Sequence, residues 1–348
     1  MPELSSLFVP FLLGLVAALA GGAWMIPVLR RLKAGQTIST DAPERHLAKG
    51  GTPTMGGAII LSGGLIGSLA VLGWAPRDLR LLAAVGLCTF GFGLIGFIDD
   101  YLIIKRGKNL GLRAREKLLL QFLVAIAFVW WHYVEAGSPG PWVAATDPVA
   151  LGPFGGFLKL ISWPPLVLAY EVLLLVGMSN AVNLTDGLDG LAAGVSLPVW
   201  IGLALLAAFG AFATIRPGEQ PVSYPGVATF CAAMAGGTLG YLWYNAHPAQ
   251  VFMGDTGSLA IGGGIAAAAI ACGHEWTVLL LGLVHVVEAG SVTAQVISFK
   301  TTGRRILKMS PLHHHFELCD WPETRIVARF AIASTLCVIG ALAWVMRG

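Results

Sequence analysis

The chain has 348 residues, of which 56% are hydrophobic and only 12% charged. A soluble domain carries about twice that charged share, so the composition excludes an ordinary soluble enzyme and marks a polytopic membrane protein. The 22 basic and 19 acidic residues leave a net charge of +3, too small to argue for a nucleic-acid partner. The five cysteines (Cys88, Cys231, Cys272, Cys319, Cys337) are scattered, which excludes a disulfide framework and a Cys-rich metal site. The N-terminus has no basic stretch before its first apolar run, so that run reads as a first span and not as a cleaved signal.

Windows of about 20 apolar residues predict ten membrane helices. In chain order they fall at roughly 7–29, 55–73, 79–98, 118–135, 165–182, 190–212, 226–244, 257–273, 276–298 and 325–346. The fold class expected is all-α, a single transmembrane domain over residues 1–348. The 45 glycines suit helices that pack closely through small residues. The segment 136–164 (AGSPGPW, WPP) reads as a short interfacial structure with aromatic anchors. No soluble domain, low-complexity tract or internal repeat is legible.

Basic residues set the expected orientation. The loops 30–54, 99–118 and 299–325 hold 16 of the 22 basic residues, and the opposite loops and ends hold five. The richer side is predicted to be cytoplasmic, which puts both termini outside. Five aspartates emerge on that same side: Asp99, Asp100, Asp186, Asp189 and Asp255. Acids at a membrane edge are costly unless something uses them. Gathered from three loops, they suit a hard divalent cation such as Mg²⁺.

LAKGGTPTMGG places Lys49, Thr52 and Thr54 among glycines before a helix, a setting that suits a phosphate and equally a plain turn. In GFIDDY, Asp99 and Asp100 abut apolar sequence. Their mutual repulsion is relieved by a metal or by the basic residues that follow. Lys117 is either a phosphate partner or a snorkelling lysine. In SNAVNLTDGLDG, Asn180, Asn183, Asp186 and Asp189 recur every three residues and are expected to share one face of a helix end. That face could hold a metal, or bind a sugar and a base. In YNAHPAQVFMGDTGS, Asn245 and Asp255 flank Phe252, an aromatic that could stack on a nucleobase or simply pack. Asp255 opens a helix whose N-terminus favours anionic ligands. In PLHHHFE, His313, His314 and His315 are consecutive and cannot face one way, so zinc is disfavoured and contact with anionic substrate is expected. Glu171, His285 and Glu288 lie inside predicted spans. Each is either functional or part of a buried pair.

Taken together, GGTPTMGG, GFIDDY, NAVNLTDGLDGLA, VFMGDTGS and PLHHHFE resemble, in order and over nearly the whole chain, the phospho-N-acetylmuramoyl-pentapeptide transferase (translocase I, MraY) family. The first four are similar to motifs of the wider polyprenyl-phosphate N-acetylhexosamine-1-phosphate transferase superfamily, and HHHFE distinguishes the peptidoglycan branch. The resemblance implies a bacterial inner-membrane protein of ten helices with its site facing the cytoplasm, and the family suggests a homodimer. It implies that undecaprenyl phosphate attacks the β-phosphate of UDP-N-acetylmuramoyl-pentapeptide, giving lipid I and UMP, with Mg²⁺ as cofactor. By matching motif, Asp255 is the metal ligand, with Asp99 and Asp100 beside it; Asp99 could serve as a base. Lys49, Thr54, Asn183, Asp186, Gly187, Leu188, Asp189, Phe252 and Gln295 would line the nucleotide pocket, with Phe252 on uracil. His314 and its neighbours His313 and His315 would meet the sugar-phosphate or peptide end. Lys117, Asn180 and Asn245 complete the substrate-binding candidates. The ninth span is bent in this family, and Gly290–Gln295 is the expected place. Direct displacement and a covalent aspartyl intermediate both stay open.

Two rival functions follow from the same residues. A sister enzyme would transfer N-acetylglucosamine phosphate, against which HHHFE argues. An ion-coupled transporter would run its path through Glu171, His285 and Glu288, against which the gathering of acids at one face argues.

Overall fold

A computed structural model describes residues 5–32, 51–71, 76–106, 111–135, 164–210 and 223–346. The described residues are helical or irregular, with no strand among them. The helices are α1 (Ser5–Arg31), α2 (Gly57–Ser68), α3 (Pro76–Arg106), α4 (Ala114–Glu135), α5 (Pro164–Thr185), α6 (Leu191–Phe209), α7 (Pro225–Asn245), α8 (Gly254–Ala271), α9 (Thr277–Leu281), α10 (Leu283–Thr302), α11 (Leu312–Glu317) and α12 (Glu323–Met346).

Among the described residues, six helices are long and apolar enough to cross a membrane: Leu7–Arg31, Leu79–Arg106, Ala114–Val134, Pro165–Thr185, Leu191–Phe209 and Glu323–Val345. The other predicted spans are helical but shorter or richer in small and polar residues. Helix α2 has 12 residues and continues as a 3₁₀ turn over Leu69–Val71. The span expected at 276–298 is interrupted. It breaks at Gly282, between α9 and α10, and α10 runs without interruption through Gly290–Gln295. The interruption at Gly282 lies eight residues before Gly290, and the helix is unbroken over the segment where a bend was expected. The outward faces carry large apolar side chains, among them Trp24, Leu87, Trp130 and Trp243. Apolar surface on this scale is stable in lipid and not in water.

Helix α8 is the centre of the bundle. Every residue from Thr256 to Ala271 is buried. Its sequence explains this: GDTGSLAIGGGIAAAAIA has almost no bulk, so α3 and α5 pack directly on its backbone. Gly96 of α3 is an example, since a Cβ there would overlap the carbonyl of Asp255. Helix α7 packs on α1, α2 and α6, and α12 lies against α6. Larger side chains fill the remaining core, with Trp200 and Phe230 meeting edge to face at 6.2 Å. Because α8 is central and immovable, the residues at its N-terminus have a fixed position. The functional site is assembled around them.

Candidate active site

Asp255 stands in the first turn of α8 and is met from three sides. The Lys117 ammonium, from the start of α4, lies between Asp255 and Asp99, in a short contact with Asp255 Oδ2 and 3.2 Å from Asp99 Oδ2. From α5, Asn183 Nδ2 donates to Asp255 Oδ1 at 2.8 Å and to Ser258 Oγ at 2.8 Å. At the end of α3, Asp100 accepts from the Asp255 N–H at 3.1 Å, the Thr256 N–H at 3.0 Å and the Thr256 hydroxyl at 2.7 Å. Asp100 is thus the anionic cap of α8, satisfying amides that the helix leaves unpaired. Asp99 accepts from the Leu112 N–H at 2.7 Å, which ties the loop ahead of α4 to the end of α3.

Adjacent residues on a helix point in different directions, and this decides how the pair divides its roles. Asp99 faces Lys117, while Asp100 faces the α8 amides. Thr54 is buried beside this cap: a Cβ on Gly254, whose φ is +68°, would strike both the Thr54 hydroxyl and the Asp100 carboxylate. The TPTMGG segment is fastened to the VFMG segment by backbone bonds. Phe252 N–H donates to Pro53 O, Gly56 N–H to Phe252 O and Gly57 N–H to Met253 O, at 2.8–2.9 Å. Phe252 is half-buried on that edge. Lys49 lies outside the described residues.

The polar segment after α5 departs from expectation. Asn180, Asn183, Asp186 and Asp189 do not form one helical face, because α5 ends at Thr185 and the chain turns, with Gly190 at φ +80°. Asn180 donates to Gln121 Oε1 at 2.7 Å and to Val176 O at 2.8 Å, with no bond to an aspartate among those described. Asn183 reaches Asp255 as above. Burial, then the charges of Asp255, Asp100 and Asp189, push the Asp186 carboxyl up to about 8. Asp189 turns elsewhere. Its Oδ2 accepts from His247 Nδ1–H at 3.0 Å and the Ala249 N–H at 3.1 Å, and its own N–H donates to Glu323 Oε1 at 2.7 Å. Next to it, the Gly190 N–H donates to the Asn245 side chain at 3.0 Å, and Asn245 donates to Val251 O at 2.9 Å. Asn245 thus binds two loops to each other.

His247 and Glu323 were missed in the sequence. Among the described residues, Asp189, His247 and Glu323 form a group whose ligand atoms all lie within 4.8 Å of one another. The signal was present in YNAHPAQ and in the acidic first turn of α12, but nothing in either stretch says that they meet.

The histidine run divides three ways. His313 is fully buried; its N–H and Nδ1–H both donate to Glu288 at 3.2 Å. Burial holds its imidazole below the ordinary range, against the pull of Glu288. Its Nε2 rests on Gly187, where a Cβ would overlap it. Leu188 is buried beside Leu191, Val195 and Ile326. His314 donates to Glu317 at 2.6 Å, and His315 accepts the Lys308 N–H at 3.1 Å. Gln295 is turned into the following loop: its amide accepts from Ile306 and Leu307 N–H and donates to Leu307 O, at 2.9–3.0 Å. The structure thus brings Asp99, Asp100, Lys117, Asn183 and Asp255 into one contact network, with Asp186 beside it. It holds Asp189, Asn245, Gln295 and His313 in contacts of their own.

The carboxylate oxygens of Asp99, Asp100 and Asp255 are the donor type a hard divalent cation prefers, and in this structure the Lys117 ammonium lies between two of them. Burial first, and the neighbouring carboxylates second, hold the Asp186 carboxyl high, and a cation would relieve only the second of these.

The sequence profile of glycosyl transferase family 4 matches residues 82–273. The chain is 48% identical over 344 residues to a phospho-N-acetylmuramoyl-pentapeptide-transferase of Pelotomaculum thermopropionicum, covering 99% of each chain. It is 45% identical over 320 residues to the protein of that name from Bacillus anthracis, covering 90% of each. The one from Caldanaerobacter subterraneus subsp. tengcongensis is 43% identical over 327 residues, covering 94% of this chain and 95% of that one.

Proposed function

We infer the chemistry of this site from a plain premise: the chain belongs to glycosyl transferase family 4, among the phospho-N-acetylmuramoyl-pentapeptide transferases of peptidoglycan synthesis. Its substrates are then UDP-N-acetylmuramoyl-pentapeptide and undecaprenyl phosphate. An oxygen of the lipid phosphate attacks the β-phosphorus of the donor. The new P–O bond forms as the bond to UMP breaks, and the electron pair and charge leave with UMP.

Both reactants are anions, so catalysis is mainly alignment and charge neutralisation. The observation that carries the reading is Lys117 held between Asp99 and Asp255 at the N-terminus of α8. The Lys117 ammonium would meet the charge that develops on phosphate there, while the α8 terminus stays capped by Asp100. Mg²⁺, when bound, would supply the remaining positive charge on the diphosphate. Asp255 would hold it, with Asp99 and Asp100 beside it. The amide of Asn183 keeps Asp255 in one rotamer. The lipid phosphate is already ionised near neutral pH, so Asp99 need not remove a proton, and direct displacement is the simpler course. Phe252, Thr54, Lys49, Gln295 and the 186–189 turn would receive the nucleotide, and His314 the sugar-phosphate or peptide end. The site would face the cytoplasm of a bacterial inner membrane, with both termini outside.

Two of the three residues of the transporter path are taken up in contacts between helices. His285 is hydrogen-bonded to Ser196 at 3.1 Å and Thr185 at 2.9 Å, and Glu288 to His313. These groups are partners in packing between helices. The test is UMP release by purified protein given both substrates, with and without Mg²⁺, beside Asp255→Ala. Mg²⁺-dependent UMP that needs both substrates and is lost in the variant is the expected result. UMP only with UDP-N-acetylglucosamine would establish the sister enzyme, and none from either donor would overturn the reading.

A further inference from the structure

The turn between α5 and α6 carries Asp186 and Asp189, and its residues 187–189 are each held by the segment that runs from α11 into α12. Gly187 receives the His313 ring, where a Cβ would overlap Nε2. Leu188 is buried in one cluster with Ile326, on which Phe316 and Trp321 pack. Asp189 donates its N–H to Glu323 Oε1 at 2.7 Å. The segment that holds them is itself well packed. Phe316 and Trp321 stack at 4.6 Å, and Arg329 lies over the Trp321 ring at 4.3 Å. Ser334 Oγ donates to Val195 O at 2.7 Å, which fixes α12 along α6.

Two of these contacts are matters of shape, and the third is a bond. Glu323 stands in the first turn of α12, mostly buried, so the Asp189 N–H meets a carboxylate and not water. Asp189 is buried too, and a buried N–H without an acceptor is costly. The other oxygen of Glu323, Oε2, lies 3.5 Å from His247 Nδ1, which in turn is 3.0 Å from Asp189 Oδ2. Glu323 therefore reaches Asp189 twice, at the main chain directly and at the carboxylate through the imidazole. The three side chains are close enough to surround a cation. Main-chain amides already engage both carboxylates, however: Ala249 N–H on Asp189 and Asp189 N–H on Glu323. The group is a clasp closed by hydrogen bonds. We propose that Glu323 is a positioning residue for the nucleotide donor, a role that rests on reading the 186–189 turn as part of the donor pocket. Its carboxylate holds the Asp189 main chain, and with it the turn, in the shape that receives the nucleotide.

The test is steady-state kinetics with each substrate varied in turn, beside calorimetric titration of the full-length protein with UMP. Glu323→Ala is expected to raise the KM for UDP-N-acetylmuramoyl-pentapeptide and the Kd for UMP by about tenfold, the size of one hydrogen bond to a charged group. The KM for undecaprenyl phosphate should not move. Glu323→Gln keeps an oxygen for the Asp189 N–H and should restore both constants. Glu323→Asp keeps the charge but is one methylene short, and should not. A merely structural role would lower kcat as active protein is lost and leave KM and Kd alone, and that result would overturn the proposal. Rescue by Asp and not by Gln would overturn it as well, because charge and not the hydrogen bond would then carry the effect. Asp189→Ala separates this role from the reading beneath it. Weaker UMP binding in Asp189→Ala, with unchanged binding in the Glu323 variants, would sink the positioning role alone. Unchanged UMP binding in Asp189→Ala would put the nucleotide elsewhere and sink both.

Discussion

At the scale of single residues, the pair Asp99–Asp100 shows how neighbours in sequence acquire separate tasks. Asp100 accepts three hydrogen bonds from the start of α8, whereas Asp99 faces Lys117. Asp100→Ala would leave buried donors without partners, at about 1–3 kcal/mol for such a group. We expect a lower melting temperature together with lost activity. Lys117→Met keeps the stem and removes the charge. It should lower UMP release by about 10²–10³, the usual size for one electrostatic contact to developing charge, with folding retained. An unchanged turnover rate in Lys117→Met would remove that side chain from the chemistry. Asp189 behaves differently again. Its carboxylate is engaged by His247 and Ala249, so His247→Ala should raise the KM for the nucleotide donor more than it lowers kcat. A fall in kcat alone would contradict this.

Among the elements, close approach decides the outcome. Gly96 lets α3 lie against the first turn of α8, and Gly187 lets the turn after α5 receive the His313 ring. A methyl group at either place has nowhere to go. Gly96→Ala and Gly187→Ala should each cost about 1–3 kcal/mol, as overpacking in a tight interior does, and should reduce activity by displacing Asp255 or Asp186. Circular dichroism melts beside UMP release would show it, and full stability in both variants would mean that the helices have slack. The interruption at Gly282 was not legible because a glycine in an apolar run reads as packing. The backbone at Gly282 leaves helical values (φ −92°, ψ 20°), although its N–H still reaches Val278 O and its carbonyl still accepts from Val286 N–H. Likewise the three-residue spacing of Asn180 to Asp189 suggested one face, but that rule holds only while the helix continues, and α5 stops at Thr185.

For the molecule as a whole, the excess of acid around α8 couples folding to proton and metal. The Asp186 carboxyl sits at about 8 in the fold, above its ordinary 3.8. A raised carboxyl is protonated in the folded chain and ionised in the unfolded one between those values. Its contribution to stability is therefore most favourable below about 4, declines as pH rises, and is lost above about 8. In Mg²⁺-free protein, stability from this group should fall across that window, and Asp186→Asn should flatten the slope. Mg²⁺, binding only the folded state, should raise the melting temperature, by an amount equal to about 2.7 kcal/mol at a hundred times its Kd. Chelation should stop UMP release and undo that shift. A melting temperature indifferent to Mg²⁺ across the whole window would speak against a cation site here.

The sequence by itself determined the class of the molecule, because apolar runs and loop charges are local quantities that lipid reads directly. It also pointed to the candidate site residues, since aspartates at a membrane edge are costly unless something uses them. The tertiary structure alone decided which of them meet. Only packing around the buried α8 places Lys117 between Asp99 and Asp255, turns Asp189 toward His247 and Glu323, folds Gln295 into its own loop and sinks His313 against Gly187. Those contacts join residues that are mostly far apart in the chain, and no short-range pattern carries information about so distant a neighbour.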